Sequence, residues 1–129
     1  MAQVKIYGLK SHLDMCKGAI SKAVHQSVMS ALEYPPEKKF HRFIALDQSD
    51  FIYPDDRSEK YIIIELSMFE GRSIGAKKAL INQLYSNIGT EAGIGHQDIE
   101  ITLFETPKEN WGIRGMPADE LKLGYKVEV

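Results

Sequence analysis

The chain has 129 residues, of which 43% are hydrophobic and 26% are charged, a balance that argues against the disordered and fibrous classes. Its net charge of −2, from 16 Lys and Arg against 18 Asp and Glu, argues against the basic surface that binding to nucleic-acid phosphates requires. A chain of this length predicts one domain over residues 1–129.

The cysteine content and the apolar runs predict a cytoplasmic protein without a membrane anchor. A single cysteine, Cys16, cannot form an internal disulfide, and the N-terminal stretch MAQVKIYGLK lacks the apolar core of a signal peptide. The longest apolar run, around YIII, is far shorter than the ~20 residues that span a bilayer.

The first half of the chain predicts a strand, a helix and a second strand. VKIY alternates as a strand does, and Ser11 followed by Asp14 is a variant of the capping box that starts a helix. Apolar residues then recur at three- and four-residue steps, which predicts a helix over about 12–33 that Tyr34-Pro35-Pro36 ends. FHRFIAL is the second predicted strand, and the polar segment after it is a predicted loop.

The second half repeats this order. YIIIELSMF predicts a central strand covered on both faces, Ser73 is a natural N-cap for a second helix that Gly89 helps to end, and IEITLF predicts a fourth strand. The halves align at an offset of about 60 residues, which indicates two related βαβ units with right-handed crossovers. With both helices on one face, the other face of the sheet is expected to be bare and apolar, and oligomerisation would cover it. The last segment, YKVEV, predicts a strand that pairs with a neighbouring chain.

Arg72 is the first candidate functional residue. It lies beside the free N–H groups at the start of the second helix, where a guanidinium and a helix N-terminus together favour a carboxylate or phosphate. The alternative is a solvated arginine that pairs with Glu70 or with the acidic loop at Asp55-Asp56.

Trp111, in the motif NWGIRG, is the second candidate. A rigid aromatic on a glycine-flanked loop can form the wall of a pocket, and Arg114 nearby adds a positive group. The alternative is a tryptophan that fills the edge of the core or an interface.

Metal, nucleotide and cofactor chemistry find no support in the motifs. His12, His25, His41 and His96 lack metal-ligand spacing, and Cys16 falls on the apolar helix face, where a small buried side chain is the better interpretation. YPDDRS lacks the further oxygen ligands of a calcium loop, and no P-loop, dinucleotide fingerprint or nucleophile elbow occurs. We therefore predict no cofactor and no metal.

Four features together resemble the tautomerase superfamily, and within it the branch around malonate semialdehyde decarboxylase. They are the tandem βαβ layout, PPEKKF after the first helix, a strand ending in GRS before the second helix, and NWGIRG near the C-terminus. The resemblance implies an α+β fold, with a four-stranded mixed sheet and two helices on one face, in a homotrimer with one pocket per subunit. It also implies a proton-transferring proline at the start of the mature chain, and arginines that hold the carboxylate of a keto or enol acid.

The resemblance carries over to only some positions of this sequence. Arg72 matches the second of two substrate-binding arginines and Trp111 matches the pocket tryptophan. Glu70, however, stands at the place of the first arginine, Lys38 at that of an acid that activates water, and Ala2 at that of the catalytic proline. Decarboxylation that uses such an acid is therefore not expected.

These matches predict a protein of low tautomerase activity that acts on or binds a small keto or enol acid. Arg72 would hold the carboxylate, Trp111 and Ile113 would wall the pocket, and Lys38 and Arg114 are further binding candidates. If Met1 is removed, Ala2 offers a primary amine of reference pKa roughly 7.7–8.0, although it is less well positioned than a proline nitrogen. The alternatives are a non-catalytic trimeric relative, which binds a carboxylate metabolite or a protein partner, and an unrelated monomeric binding domain.

Overall fold

A computed structural model describes residues 2–129 as two strand–helix–strand units that share one sheet. The first unit consists of β1 (Ala2–Leu9), α1 (Lys10–Leu32) and β2 (His41–Leu46). The second consists of β3 (Ile62–Phe69), α2 (Ile74–Ala92) and β4 (Ile99–Thr106). Two short strands, β5 (Gly112–Ile113) and β6 (Met116–Pro117), follow as a hairpin.

The sheet is mixed, with the strand order β2-β1-β3-β4. Each unit pairs its own strands in parallel, while β1 and β3 pair antiparallel at the centre. Both helices pack on the face that carries Val4, Ile6, Ile64 and Leu66, because these side chains form one buried cluster with helix residues of both units. The predicted α+β arrangement is therefore confirmed.

Residues that are 60 positions apart in the sequence contact each other where the two units meet. Lys5 and Glu65 are cross-strand partners at the centre of the sheet, and the Asn87 side chain donates a hydrogen bond of 3.0 Å to Ser27 Oγ between the helices. Each pair joins equivalent positions of the two units, so an approximate twofold axis runs through both contacts.

The open face of the sheet is not the apolar surface that the sequence predicted. Lys5 Nζ lies 3.9 Å from Glu65 Oε1 on that face, and Arg42 extends beside Lys5. The apolar part of this face is supplied by half-buried Tyr7, Ile44 and Ile63 and by exposed Phe104. The prediction failed because strict alternation along β1 and β3 places one polar residue opposite another.

The helix ends correct two further predictions. α1 starts at Lys10 directly after β1, so Ser11 already lies in the first turn and gives no cap; Asp14 accepts a hydrogen bond from Lys10 Nζ instead. α2 continues past Gly89 to Ala92 and ends at Gly93, whose φ of 66° is the left-handed conformation that glycine adopts readily. Within residues 2–129, no helix combines the length and apolarity needed to cross a bilayer.

Candidate functional site

The junction between β3 and α2 places Arg72 inside the protein. Gly71 turns the chain with a φ of 128°, and Ser73 then caps the helix by accepting a hydrogen bond of 3.1 Å from the Ala76 N–H, as predicted. Ser73 Oγ also donates to the backbone oxygen of Val129 at 3.0 Å. Arg72 is thus held between a strand end, a helix start and the last residue of the chain.

Arg72 is a buried cation with an unused binding edge. Its exposed fraction is 5%, and Nη1 donates a long hydrogen bond of 3.3 Å to the Phe69 carbonyl. Nε and Nη2, which form one edge of the planar guanidinium, are buried without a hydrogen-bond partner among residues 2–129. The alternative of a solvated arginine is therefore wrong, and Glu70 lies exposed with no ion pair to Arg72 in this part of the chain.

Two tyrosines that the sequence did not single out stand beside this guanidinium. The rings of Tyr34 and Tyr125 meet edge to face with centroids 5.2 Å apart. Burial raises the pKa of both hydroxyls, so both stay neutral at ordinary pH. Burial lowers the pKa of Arg72, an effect that the nearby Tyr125 and Tyr34 hydroxyls partly offset.

Ala2 joins the same group through its backbone nitrogen. This nitrogen donates a hydrogen bond of 3.0 Å to the Tyr34 hydroxyl oxygen, and the residue is 3% exposed. Because β1 runs antiparallel to β3, Ala2 is the partner of Met68, four residues before Arg72. The structure therefore brings Ala2 and Arg72 to one end of the sheet, as the resemblance implied. Met1, whose removal the expected chemistry requires, lies outside the described residues.

The NWGIRG segment covers one side of this end of the sheet. Trp111 packs edge to face on Phe69 with ring centroids 4.9 Å apart, and half-buried Ile113 joins the same apolar cluster. Arg114 and Gly115 occupy the turn of the β5–β6 hairpin with φ of 52° and 86°, the positive values that a tight two-residue hairpin requires. Arg114 is exposed, and its charge opposes part of the rise that burial causes in the pKa of Tyr125, so a contribution of Arg114 to binding stays a prediction.

Lys38 shows no link to this group. It follows Pro35-Pro36 in a turn, where its N–H donates to the Pro35 carbonyl at 3.1 Å. The described residues provide no hydrogen bond or ion pair for its half-buried side chain. A contribution of Lys38 to binding stays a prediction.

The C-terminal segment packs over the site, and its pairing with a neighbouring chain stays a prediction. Within the described chain residues 125–129 pair with no strand, Tyr125 packs on Tyr34, and Val127 is buried against Phe69. The Glu128 carboxylate raises the pKa of Arg72, which places its negative charge near the guanidinium. Residues 125–129 therefore cover Arg72 from the solvent side.

The other predicted positions have local roles. His12 is buried with Nε2 3.5 Å from Cys16 Sγ, and burial raises the pKa of this half-buried thiol. His25 Nε2 lies 2.8 Å from the Pro36 oxygen, and His41 Nδ1 lies 2.7 Å from Ser21 Oγ. Residues 2–129 contain no group of three or more His, Cys, Asp or Glu side chains arranged to hold a metal.

Sequence reasoning missed Tyr34 and Tyr125 for a simple reason. The sequence pattern assigns Tyr34 only to the Pro-Pro helix stop and Tyr125 to a strand. The topology offers a signal for Tyr34. In a βαβ unit the C-terminal end of the helix lies beside the start of the first strand, so a tyrosine just after α1 is expected near Ala2.

Comparison with known proteins identifies the family. A family model described as tautomerase enzyme matches residues 38–114. The probable tautomerase YusQ of Bacillus subtilis (strain 168) is 27% identical over 116 residues, which cover 86% of this chain and 91% of that protein. The 2-hydroxymuconate tautomerase of Pseudomonas putida is 37% identical over 57 residues, 44% of this chain and 90% of that protein.

Solved structures of low sequence identity show the same fold. Malonate semialdehyde decarboxylase superposes with a TM-score of 0.77 at 16% identity, covering 86% of this chain and 89% of that one. Native fused 4-OT superposes with a TM-score of 0.80 at 19% identity, covering 92% and 98%. An asymmetric trimer of wild-type R7 fused 4-OT gives 0.81 at 18% identity, covering 92% and 97%. Since the family model spans more than half of the sequence, the chain belongs to the tautomerase superfamily.

Proposed function

We propose that this protein binds a small keto or enol carboxylic acid and interconverts the two forms. The observation that carries the proposal is the unpartnered Nε and Nη2 edge of buried Arg72. A buried donor without a partner costs roughly 1–3 kcal/mol, and more when it is charged, so a protein retains one where a ligand supplies the missing acceptor.

The geometry of that edge favours a carboxylate. Two parallel N–H groups of a guanidinium match the two oxygens of one carboxylate, and such bidentate pairs are stronger than neutral hydrogen bonds. Phe69, Trp111 and Ile113 form an apolar surface at the same end of the sheet, which suits a hydrocarbon substituent on the acid.

Proton transfer is assigned to the α-amino group of Ala2 after removal of Met1. The neutral nitrogen takes the proton of the enol hydroxyl: an N–H bond forms and the O–H bond breaks. The oxygen then becomes a carbonyl as the C=C electron pair takes a proton from the ammonium group, so a C–H bond forms and the amine returns to its neutral state. No other reactant is consumed.

The assembly proposed for this protein is a homotrimer of single domains spanning residues 1–129. Trimers among the solved structures of the same fold support it, as does the open face of the sheet with its half-buried Tyr7 and Ile63. Tyr125 supports the single domain, because it packs against both the main core and the cluster around Phe69.

Ketonisation of phenylenolpyruvate, followed by ultraviolet absorbance, tests the proposal. We expect a rate above buffer that Arg72→Ala reduces by about 100-fold in kcat/KM, since two charge-assisted hydrogen bonds are lost. Arg72→Lys keeps the charge but not the planar pair of N–H donors, so its rate should fall between those of the wild type and Arg72→Ala. Lys22→Ala, which removes an exposed cation on α1 away from the open face, serves as the matched control. A wild-type rate that Arg72→Ala leaves unchanged would refute the assignment of Arg72.

A non-catalytic carboxylate-binding relative is the second candidate, and Ala2 in place of proline is the observation that favours it. It predicts that phenylpyruvate binds to the wild type and not to Arg72→Ala, that the wild type has no ketonisation rate, and that Ala2→Pro gains one. Mass spectrometry of the N-terminus separates the candidates further, because retained Met1 leaves Ala2 with an amide nitrogen that cannot act as a base.

A further inference from the structure

Tyr34 has a contact that neither the core nor the helix end requires. Its hydroxyl oxygen accepts the hydrogen bond of 3.0 Å from the Ala2 nitrogen, across 32 residues of chain. Both residues are buried, Ala2 at 3% exposure and Tyr34 at 4%. In the full sequence this nitrogen is the peptide nitrogen that joins Ala2 to Met1, so removal of Met1 would leave a primary amine at the position that the Tyr34 hydroxyl already contacts.

The end of α1 fixes the position of this hydroxyl. Glu33 adopts a left-handed φ of 50°, and the N–H groups of Glu33 and Tyr34 both point to the Met29 carbonyl, the latter at 3.2 Å. Tyr125 packs edge to face on the Tyr34 ring, and the two side chains also interact through their hydroxyl groups. The tyrosine therefore has a defined backbone and a defined ring position, and its hydroxyl oxygen contacts the Ala2 nitrogen.

We propose that Tyr34 is the positioning residue for the Ala2 amine, holding one N–H so that the nitrogen lone pair is directed at the substrate bound by Arg72. This inference rests on the proposed function, in which Ala2 is the proton carrier. A proline nitrogen is fixed by its ring, whereas a primary amine rotates about its Cα–N bond. The Tyr34 hydroxyl supplies that missing constraint.

The protonation state of Tyr34 suits this role. Burial raises its pKa, so the group is a neutral hydroxyl when the amine titrates. A neutral acceptor orients the amine and stabilises the ammonium form moderately, while Arg72 close by disfavours that form. Loss of the Tyr34 hydroxyl should therefore lower the pKa of the Ala2 amine and leave its lone pair without a fixed direction.

Chemical labelling of the Ala2 α-amino group as a function of pH tests the inference without relying on turnover. Purified protein reacts with a limiting amount of acetic anhydride, and mass spectrometry measures the modified N-terminal peptide. We expect Tyr34→Phe to shift the labelling midpoint to lower pH by about one unit, a roughly tenfold faster reaction below the midpoint. Tyr85→Phe, which removes a hydroxyl that donates to the Ile99 carbonyl at 3.0 Å, should leave the midpoint unchanged.

Ketonisation kinetics supply the second readout. Tyr34→Phe should lower kcat by about 10- to 100-fold with KM within about twofold, because Arg72 still binds the carboxylate. In an Ala2→Pro background, Tyr34→Phe should lower kcat by less than about threefold, because the proline ring then fixes the nitrogen.

The outcomes separate the two proposals. An unshifted labelling midpoint in Tyr34→Phe, or an N-terminus that retains Met1, overturns the role of Tyr34. If Arg72→Ala abolishes ketonisation while Tyr34→Phe keeps the wild-type kcat and labelling midpoint, the proposed function stands and this inference fails. If the midpoint shifts but no variant ketonises phenylenolpyruvate, Tyr34 positions the amine as inferred and the proposed function fails.

Discussion

Replacing Arg72 with methionine should make the protein more stable while it removes carboxylate binding. Methionine retains most of the apolar stem volume and eliminates two buried donors that have no partner in residues 2–129. Each such donor costs roughly 1–3 kcal/mol. Against this, the 3.3 Å bond to the Phe69 carbonyl and the interaction with the Tyr125 hydroxyl are lost, at roughly 0.5–1.5 kcal/mol each. The balance is a stabilisation of about 1–3 kcal/mol.

Urea and thermal unfolding, followed by circular dichroism at one fixed protein concentration, measure this balance. For a domain of this size, 1 kcal/mol corresponds to about 3–5 °C in Tm, so Arg72→Met should unfold some 3–15 °C above the wild type. Lys22→Met, which replaces an exposed cation on α1 away from the open face, should change Tm by less than about 2 °C. A loss of more than about 1 kcal/mol in Arg72→Met would show that the guanidinium is a structural residue whose hydrogen bonds outweigh its burial cost.

Three further predictions concern the surroundings of the site. Gly71→Ala should lower the free energy of unfolding by about 1–3 kcal/mol, because φ is 128° and the new Cβ would lie 3.1 Å from Val127 Cγ1. As the control, Gly18→Ala in α1 places a Cβ that meets nothing within 4 Å, and it should raise the free energy of unfolding in urea by about 0.5–1 kcal/mol. Burial, with the charges of nearby Lys39 and His25, lowers the pKa of His41 from 6.5 to about 4, so the unfolded chain binds the extra proton and stability falls between pH 6.5 and 4. When the free energy of unfolding is measured at pH 6.5 and at pH 4, the difference between the two values should be roughly 1–2 kcal/mol smaller in His41→Gln than in the wild type. An equal difference in both proteins would contradict this role of His41. Glu128→Gln should tighten phenylpyruvate binding about two- to tenfold in calorimetry, because a carboxylate that competes for Arg72 is removed; weaker binding would contradict this.

The elements that the sequence predicted well are those with a strong local signal. The period of α1, the apolar run of β3 and the Ser73 cap each determine their structure within a few residues, and all three are present. The 60-residue offset also predicted the topology, because two equal units with parallel pairing can share a sheet through their first strands.

The features that the sequence did not predict depend on distant contacts. Ser11 and Asp14 have the spacing of a capping box, yet the helix starts directly after β1 with Leu9 at the N-cap, so Ser11 lies one residue inside the first turn and cannot act as the cap. YKVEV alternates like a strand, but within the described chain the segment pairs with no strand and Val127 is buried against Phe69. Tyr34 and Tyr125 lie 91 positions apart and acquire their roles only when the fold brings both to Arg72.

The most direct test of the central claim is a crystal structure of the protein, with its N-terminus verified by mass spectrometry, in complex with phenylpyruvate. We expect the two carboxylate oxygens to lie within hydrogen-bond distance of Nε and Nη2 of Arg72. We also expect the prochiral carbon to face the Ala2 nitrogen, with Tyr34 on the opposite side of that nitrogen. A ligand bound away from Arg72, or an Arg72 edge occupied by Glu128 while the ligand lies elsewhere, would contradict the claim.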